Sequence, residues 1–320
     1  MIRLSHALLL LALPLSTVAS GREAPVQDPA AIPQDPAAPK GDGAVLDLGE
    51  VDTRLTVPVA VGTRGPYNFI IDTGAERTSV SRELAGLLAL VAGKPVTVTT
   101  MAGSKRVNTV VIPELTIQSI GESHTITAPA FEARNLGASG LLGIDTLRTS
   151  MVSIDFEAGT MTVRKSVPRR RVEAHSSDEI VVVAKSLFGQ LIVTDAFFGD
   201  TRIQVVLDTG SQVSMGNAAL RQRVERRLGA FKPLALIGVT GETVNAEYTL
   251  VPSVKIGGVE FQSLPVAFAE VAPFKKFGLE KKPAILLGMD GLRSFRRVEI
   301  DFPNRQVRFL MPRPGYKPKI

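Results

Sequence analysis

The chain of 320 residues contains no cysteine. Disulfides, thiolate-held zinc, iron–sulfur clusters and cysteine nucleophiles are excluded together. Histidine is nearly as scarce. His6, His124 and His175 are scattered along the chain, too few for a multi-histidine metal site. Neither His124 nor His175 sits in a motif that would support a Ser–His–Asp hydrolase. A one-sided charge is also missing. The 37 basic residues are interleaved with 31 acidic ones, and the densest basic run is Arg169-Arg170-Arg171. That run lacks any RNP, zinc-finger or helix-turn-helix signature, so no nucleic-acid partner is expected and it reads as solvated.

Long apolar runs are short or broken. Arg3 precedes the stretch Ala7 to Ala19, which Pro14 interrupts and small residues follow through Ser20. A basic start, a short apolar core and small residues are the pattern of an export signal, here 1–20. A membrane helix needs about 20 apolar residues. Left uncleaved, the segment would act as a membrane tether. Residues 21–45 carry five prolines and a repeated Gln-Asp-Pro-Ala-Ala. They read either as a stiff linker or as a removable prosegment.

What is present is a balanced globular composition, 44% hydrophobic, in a length that suggests two domains. Short β-type runs fill both halves: Leu55 to Val61, Val96 to Thr99 and Met161 to Val163 in the first. Helical spacing is confined to Ser81–Leu88, where Ser81 can cap, and to about Asn217–Leu228. The polar stretch around 168–178 reads as a connector between an N-terminal lobe, 46–167, and a C-terminal lobe, 179–320.

The second half repeats the first. Asn68-Phe69-Ile70-Ile71-Asp72-Thr73-Gly74-Ala75 matches Gln204-Val205-Val206-Leu207-Asp208-Thr209-Gly210-Ser211. Leu141-Leu142-Gly143-Ile144-Asp145 matches Leu286-Leu287-Gly288-Met289-Asp290. Val152 to Phe156 matches Val298 to Phe302. Three blocks in the same order define a duplicated domain, with a period too long for a solenoid.

An apolar strand ending in Asp-Thr-Gly places a carboxylate where a buried strand stops. Glycine permits the turn and a close approach of backbone N–H groups, which favour an ionised carboxylate. Two such carboxylates brought together share one proton, because adjacent like charges resist joint ionisation. The neutral member can donate to a carbonyl while the charged member deprotonates a water. This chemistry needs no metal and no cofactor, and none is expected.

These two motifs, with the Leu-Leu-Gly blocks that follow them, resemble those of retropepsin-like aspartic proteases. The resemblance covers about 50–165 and 180–312. It implies an all-β fold: two retropepsin-like acid-protease β-barrel lobes forming a single-chain pseudo-dimer, of the exported bacterial type. It implies that Asp72 and Asp208 are the catalytic pair. Thr73 and Thr209 would exchange hydrogen bonds across the lobes, while Gly74 and Gly210 would line the cleft. Flaps would come from hairpins at Thr100–Ser104 and Gly238–Glu242, with Met101, Ala102, Gly103, Thr240 and Gly241 near substrate. Neither hairpin has a tyrosine of the pepsin type.

One difference between the motifs suggests an asymmetry. Ser211 has a hydroxyl that can reach the neighbouring carboxylate, whereas Ala75 has none, so Asp208 is expected to be the more readily ionised partner. Asp145 and Asp290 read as helix caps, and Asp155 and Asp301 as turn formers. The expected function is an exported aspartic endopeptidase acting on polypeptide as a monomeric pseudo-dimer, in the periplasm or outside the cell. A non-catalytic peptide-binding scaffold on the same fold is the alternative.

Overall fold

The computed structural model describes residues 55–167 and 178–313. The expected export signal, the proline-rich segment, His6, His175 and residues 168–177 of the connector, with its arginine run, lie outside the described residues.

In the N-terminal lobe the strands are β1 (Thr56–Val61), β2 (Arg64–Ile71), β3 (Ser79–Ser81), β4 (Ala92–Thr100), β5 (Gly103–Ile117), β6 (Ser123–Phe131), β7 (Gly140–Leu142), β8 (Ser150–Asp155) and β9 (Thr160–Lys165). Three short helices join them: α1 (Arg82–Leu87), α2 (Ala133–Leu136) and α3 (Ile144–Leu147). Period-two alternation is clear in β1, where Val57, Val59 and Val61 are buried and Pro58 is exposed. The seven strands β1-β2-β7-β3-β6-β5-β4 form one sheet, and β1 also pairs with β5. That last pairing closes a barrel.

The C-terminal lobe carries β10 (Glu179–Val183), β11 (Lys185–Leu187), β12 (Gln190–Phe198), β13 (Thr201–Leu207), β14 (Met215–Gly216), β15 (Lys232–Ile237), β16 (Thr243–Val251), β17 (Val254–Ile256), β18 (Val259–Phe261), β19 (Leu264–Phe268), β20 (Ala284–Leu287), β21 (Arg297–Asp301) and β22 (Gln306–Leu310). Its helices are α4 (Ala218–Val224), α5 (Ala272–Lys276) and α6 (Met289–Leu292). Strand order β12-β13-β20-β14-β19-β16-β15 repeats that of the first lobe. The long β5 bends at Pro113 and Glu114, where the register shifts and Glu114 has φ 48. Its counterpart breaks into β16 and β17 at Pro252 and Ser253, with Ser253 at φ 55. Proline has no N–H for the ladder, so both lobes turn the same barrel corner at the same place.

The expected helix signals have clear local causes. Ser81 Oγ accepts from Leu84 N at 3.0 Å and starts α1. Asn217 Oδ1 accepts from Leu220 N at 2.9 Å and starts α4.

The two motif strands are central. β2 pairs in parallel with β7, and β13 with β20. Both faces are covered, so Phe69, Ile70 and Ile71 are all buried, as are Val205, Val206 and Leu207. Each side chain of this size contributes roughly 1.5–3 kcal/mol on burial.

A five-stranded sheet, β10-β22-β21-β8-β9, joins the lobes. Its seam is the antiparallel pair β8 and β21, running from Arg297 opposite Asp155 to Asp301 opposite Met151. Arg297 donates to Asp155 Oδ2 at 2.9 and 2.6 Å, and Ser166 Oγ donates to Asp301 at 2.7 Å. The turn roles expected of these aspartates hold as well. Asp155 accepts from Ala158 N and Asp301 from Asn304 N.

Candidate active site

Asp72 and Asp208 follow the last residues of β2 and β13. Their backbone N–H groups donate to Leu142 O at 2.9 Å and Leu287 O at 3.0 Å. The Leu-Leu strands therefore fix where each motif strand ends. The chain then turns so that Gly74 N and Ala75 N both reach Asp72 Oδ1 at 2.9 Å. Gly210 N and Ser211 N reach Asp208 Oδ1 at 3.1 and 3.2 Å.

The threonines lock the two loops together. Thr73 Oγ1 donates to Leu207 O at 2.8 Å, and Thr209 Oγ1 donates to Ile71 O at 2.6 Å. Each hydroxyl also accepts the other threonine's backbone N–H, at 3.1 and 3.2 Å. Both side chains are buried, so all four bonds are shielded from water.

The glycines bring the carboxylates together. A Cβ on Gly74 would lie 2.8 Å from Asp208 Cγ, and one on Gly210 would overlap the Asp72 carboxylate. Any side chain at either position would push the opposite aspartate away.

Burial, followed by the adjacent Asp72 charge, pushes the Asp208 carboxyl up to about 7. The expectation that the Ser211 hydroxyl makes Asp208 the more readily ionised partner loses its structural basis. The Ser211 hydroxyl donates to Val213 O at 2.8 Å and makes no bond to the carboxylate. Hydrogen bonds to Asp208 come from two backbone N–H groups, and both are longer than their counterparts on Asp72.

Asp145 and Asp290 also need correction. Gly143 and Gly288 occupy the helix N-caps. Asp145 Oδ1 instead accepts Thr78 N at 2.8 Å and Thr78 Oγ1 at 2.7 Å. Asp290 accepts Ser214 N at 2.9 and 3.0 Å and Ser214 Oγ at 2.5 Å. Those hydroxyls in turn accept Gly143 N and Gly288 N, each at 3.0 Å. The segment after each Asp-Thr-Gly motif is thus stapled to the Leu-Leu-Gly segment. The repeat of Gly-Ile-Asp as Gly-Met-Asp was the available signal for this. Gln190 had none. It is buried in β12 and reaches across to donate to Gly74 O at 3.2 Å.

A cleft of about 390 Å³ lies over the aspartates. Both hairpins expected as flaps border it, but not through all the named residues. Met101 lines it, whereas Ala102 and Gly103 form the turn and do not. On the other hairpin Gly238 and Val239 line the cleft. Thr240 faces a neighbouring hollow, and Gly241 lines neither.

Each tip rests on the opposite lobe. Met101 O accepts Ala272 N at 3.0 Å, and its side chain packs against the Phe274 and Phe277 cluster. Val239 packs against Phe131 and Leu141. At the rim, Lys276 Nζ lies 2.7 Å from Glu76.

Paired Asp-Thr-Gly loops, locked by reciprocal threonines under two hairpins, define a site of the aspartic-protease class. Two family models agree. Residues 57–149 match the family model of gag-polyprotein aspartyl proteases, and 194–290 match that of aspartyl proteases. Among solved structures, the chain is similar to a retropepsin-like aspartic protease from Rickettsia conorii at 20% identity, covering 42% of this chain and 90% of that one, with a TM-score of 0.29. No curated protein matches. The chain thus carries two aspartyl-protease domains in tandem, one in each lobe.

Proposed function

We propose that the protein is an aspartic endopeptidase that hydrolyses peptide bonds with water activated between Asp72 and Asp208. The observation that carries this reading is the mutual approach of the two carboxylates across Gly74 and Gly210. Asp208 holds the shared proton and donates to the scissile carbonyl oxygen. Asp72, which accepts the shorter pair of backbone N–H bonds, takes a proton from the water, whose oxygen attacks the carbonyl carbon. The tetrahedral intermediate collapses as Asp72 passes that proton to the departing nitrogen. The C–N bond breaks, and the proton on the intermediate's second hydroxyl restores the dyad.

Met101 and Val239 close over an extended polypeptide and exclude water from the reacting bond. The N-terminal export pattern favours action as an exported processing protease, periplasmic or secreted, on a polypeptide partner. The interlobe sheet favours a monomer. Asp72→Asn and Asp208→Asn should each abolish cleavage of an unstructured protein while unfolding stays cooperative. Full activity in either variant would reject the shared dyad.

A further inference from the structure

The two halves of the cleft derive from the same repeat, yet they present different chemistry. Counting from each aspartate, Arg77 corresponds to Val213 and Ser79 to Met215. On the C-terminal side the cleft is bordered mainly by Val213, Leu236, Pro273 and Phe277, together with Gln212 and with Lys276, whose charge is paired with Glu76. The N-terminal side has apolar walls too, Phe131 and Leu141, but adds Arg77, Ser79 and Asn135.

Ser79 is 3% exposed, and its hydroxyl has no hydrogen-bond partner. Such a group lacks the partner that buried polar atoms normally have. Arg77 is exposed and makes no ion pair among the described residues. The nearest candidate in sequence, Glu76, is already engaged by Lys276 across the lobes.

Beyond Phe131, Asn135 and Val239 the cleft continues into a second hollow of about 160 Å³, lined by Arg82, Lys105 and Arg106. The acidic residue there, Glu132, is taken by Arg82 at 3.6 Å and Arg134 at 2.6 Å. Lys105 and Arg106 are exposed, with no ion pair among the described residues.

Arginine and lysine only donate hydrogen bonds, and a free serine hydroxyl can donate as well. A set of donors with net positive charge suits an acceptor-only, anionic group. We propose that this side of the cleft selects a substrate with an acidic side chain flanking the scissile bond, met by Arg77 and Ser79. Further acidic residues continue into the Lys105 and Arg106 hollow, while the C-terminal side takes an apolar side chain. The proposal rests on reading the cleft as a peptide groove and names the substrate class for it.

The test separates binding from turnover. Peptides whose scissile bond is replaced by a non-cleavable hydroxyethylene unit would be compared with Glu or Gln at each flanking position. Affinity for the full-length protein is read by fluorescence anisotropy. At one position Glu should bind about fivefold more tightly than Gln, the scale of a partly exposed, charge-assisted contact. Arg77→Gln should erase that preference and Arg77→Glu should invert it. Lys105→Glu with Arg106→Glu should weaken peptides extended by acidic residues and should leave short ones unaffected.

Equal binding of Glu and Gln peptides at every position would overturn the proposal, as would an unchanged preference in Arg77→Glu. Cleavage of the same peptides with ordinary bonds is scored separately. Selective binding without cleavage would sink the protease reading and keep the selectivity.

Discussion

Thr73 and Thr209 each donate a hydroxyl to the carbonyl that ends the other lobe's motif strand, and each accepts the other's backbone N–H. The pair couples the folding of the two lobes to the construction of the site. Thr209→Val preserves shape but leaves Thr73 N and Ile71 O without their partner. The loss should be about 2–4 kcal/mol of unfolding free energy, given the cost of two orphaned buried groups. Thr209→Ser should recover most of it. Urea denaturation of the three proteins checks this, and a stable Thr209→Val would remove the threonine lock from the account.

Gly210→Ala should act locally. Gly210 needs no left-handed backbone, so alanine strains nothing there except the Asp72 carboxylate, which its Cβ would overlap. Turnover should fall by about 100-fold or more, since small misplacements of reacting groups have effects of that size. The melting temperature should move by only a few degrees. Steady-state kinetics beside calorimetry decides it; a large unfolding shift with normal turnover would contradict the geometry.

The dyad also sets a pH dependence. Asp208 sits at about 7 in the fold, against an ordinary 3.8. Between those values the native protein binds more protons than the unfolded chain. Stability should therefore be full below about 4 and decline as pH rises through about 7. Asp208→Asn should flatten that slope. Wild-type turnover should fall over the same upper limb as the shared proton leaves. Denaturation at pH 4, 5.5 and 7 with a parallel kcat/KM profile tests both statements, and a stability that rises with pH in this window would reject them.

Met101→Ser and Val239→Ser should weaken flap closure. Each removes a side chain that packs against the opposite lobe. A loss of roughly 1–2 kcal/mol of apolar contact corresponds to about a tenfold rise in KM. Ala102→Ser, at a tip position outside the cleft, should leave KM unchanged. Peptide kinetics on the three variants compares them directly.

Much of this was legible in the chain because the repeat is strong. Phe69-Ile70-Ile71-Asp72 and Val205-Val206-Leu207-Asp208 are continuous apolar runs that stop at a carboxylate. Strands covered on both faces must read that way. Ser81 announced its helix through capping chemistry. The failures involve contacts between distant segments.

Asp145 lies in the first turn of α3, but its carboxylate turns to Thr78, 67 residues earlier. No local pattern encodes that choice. Ser211 could have reached the carboxylate, yet its hydroxyl donates to Val213 O in the folded turn. A fourth matched block, Val111-Ile112-Pro113 against Leu250-Val251-Pro252, marks the shared barrel corner, although one copy is bent and the other broken. Gln190 carries no signal at all, since its role depends on which lobe it faces.

The seam between β8 and β21 changes the kinetics of assembling the site. When two separate chains must supply one aspartate each, the pairing is second order and dissolves on dilution. Here the partner lobe is held in the same polypeptide, so the effective concentration of one half toward the other is fixed by the chain. Aspartate pairing should be first order and indifferent to protein concentration. A dimer of identical chains must also accept every change twice. In this chain Arg77 can stand opposite Val213, and each bank of the cleft is free to drift alone.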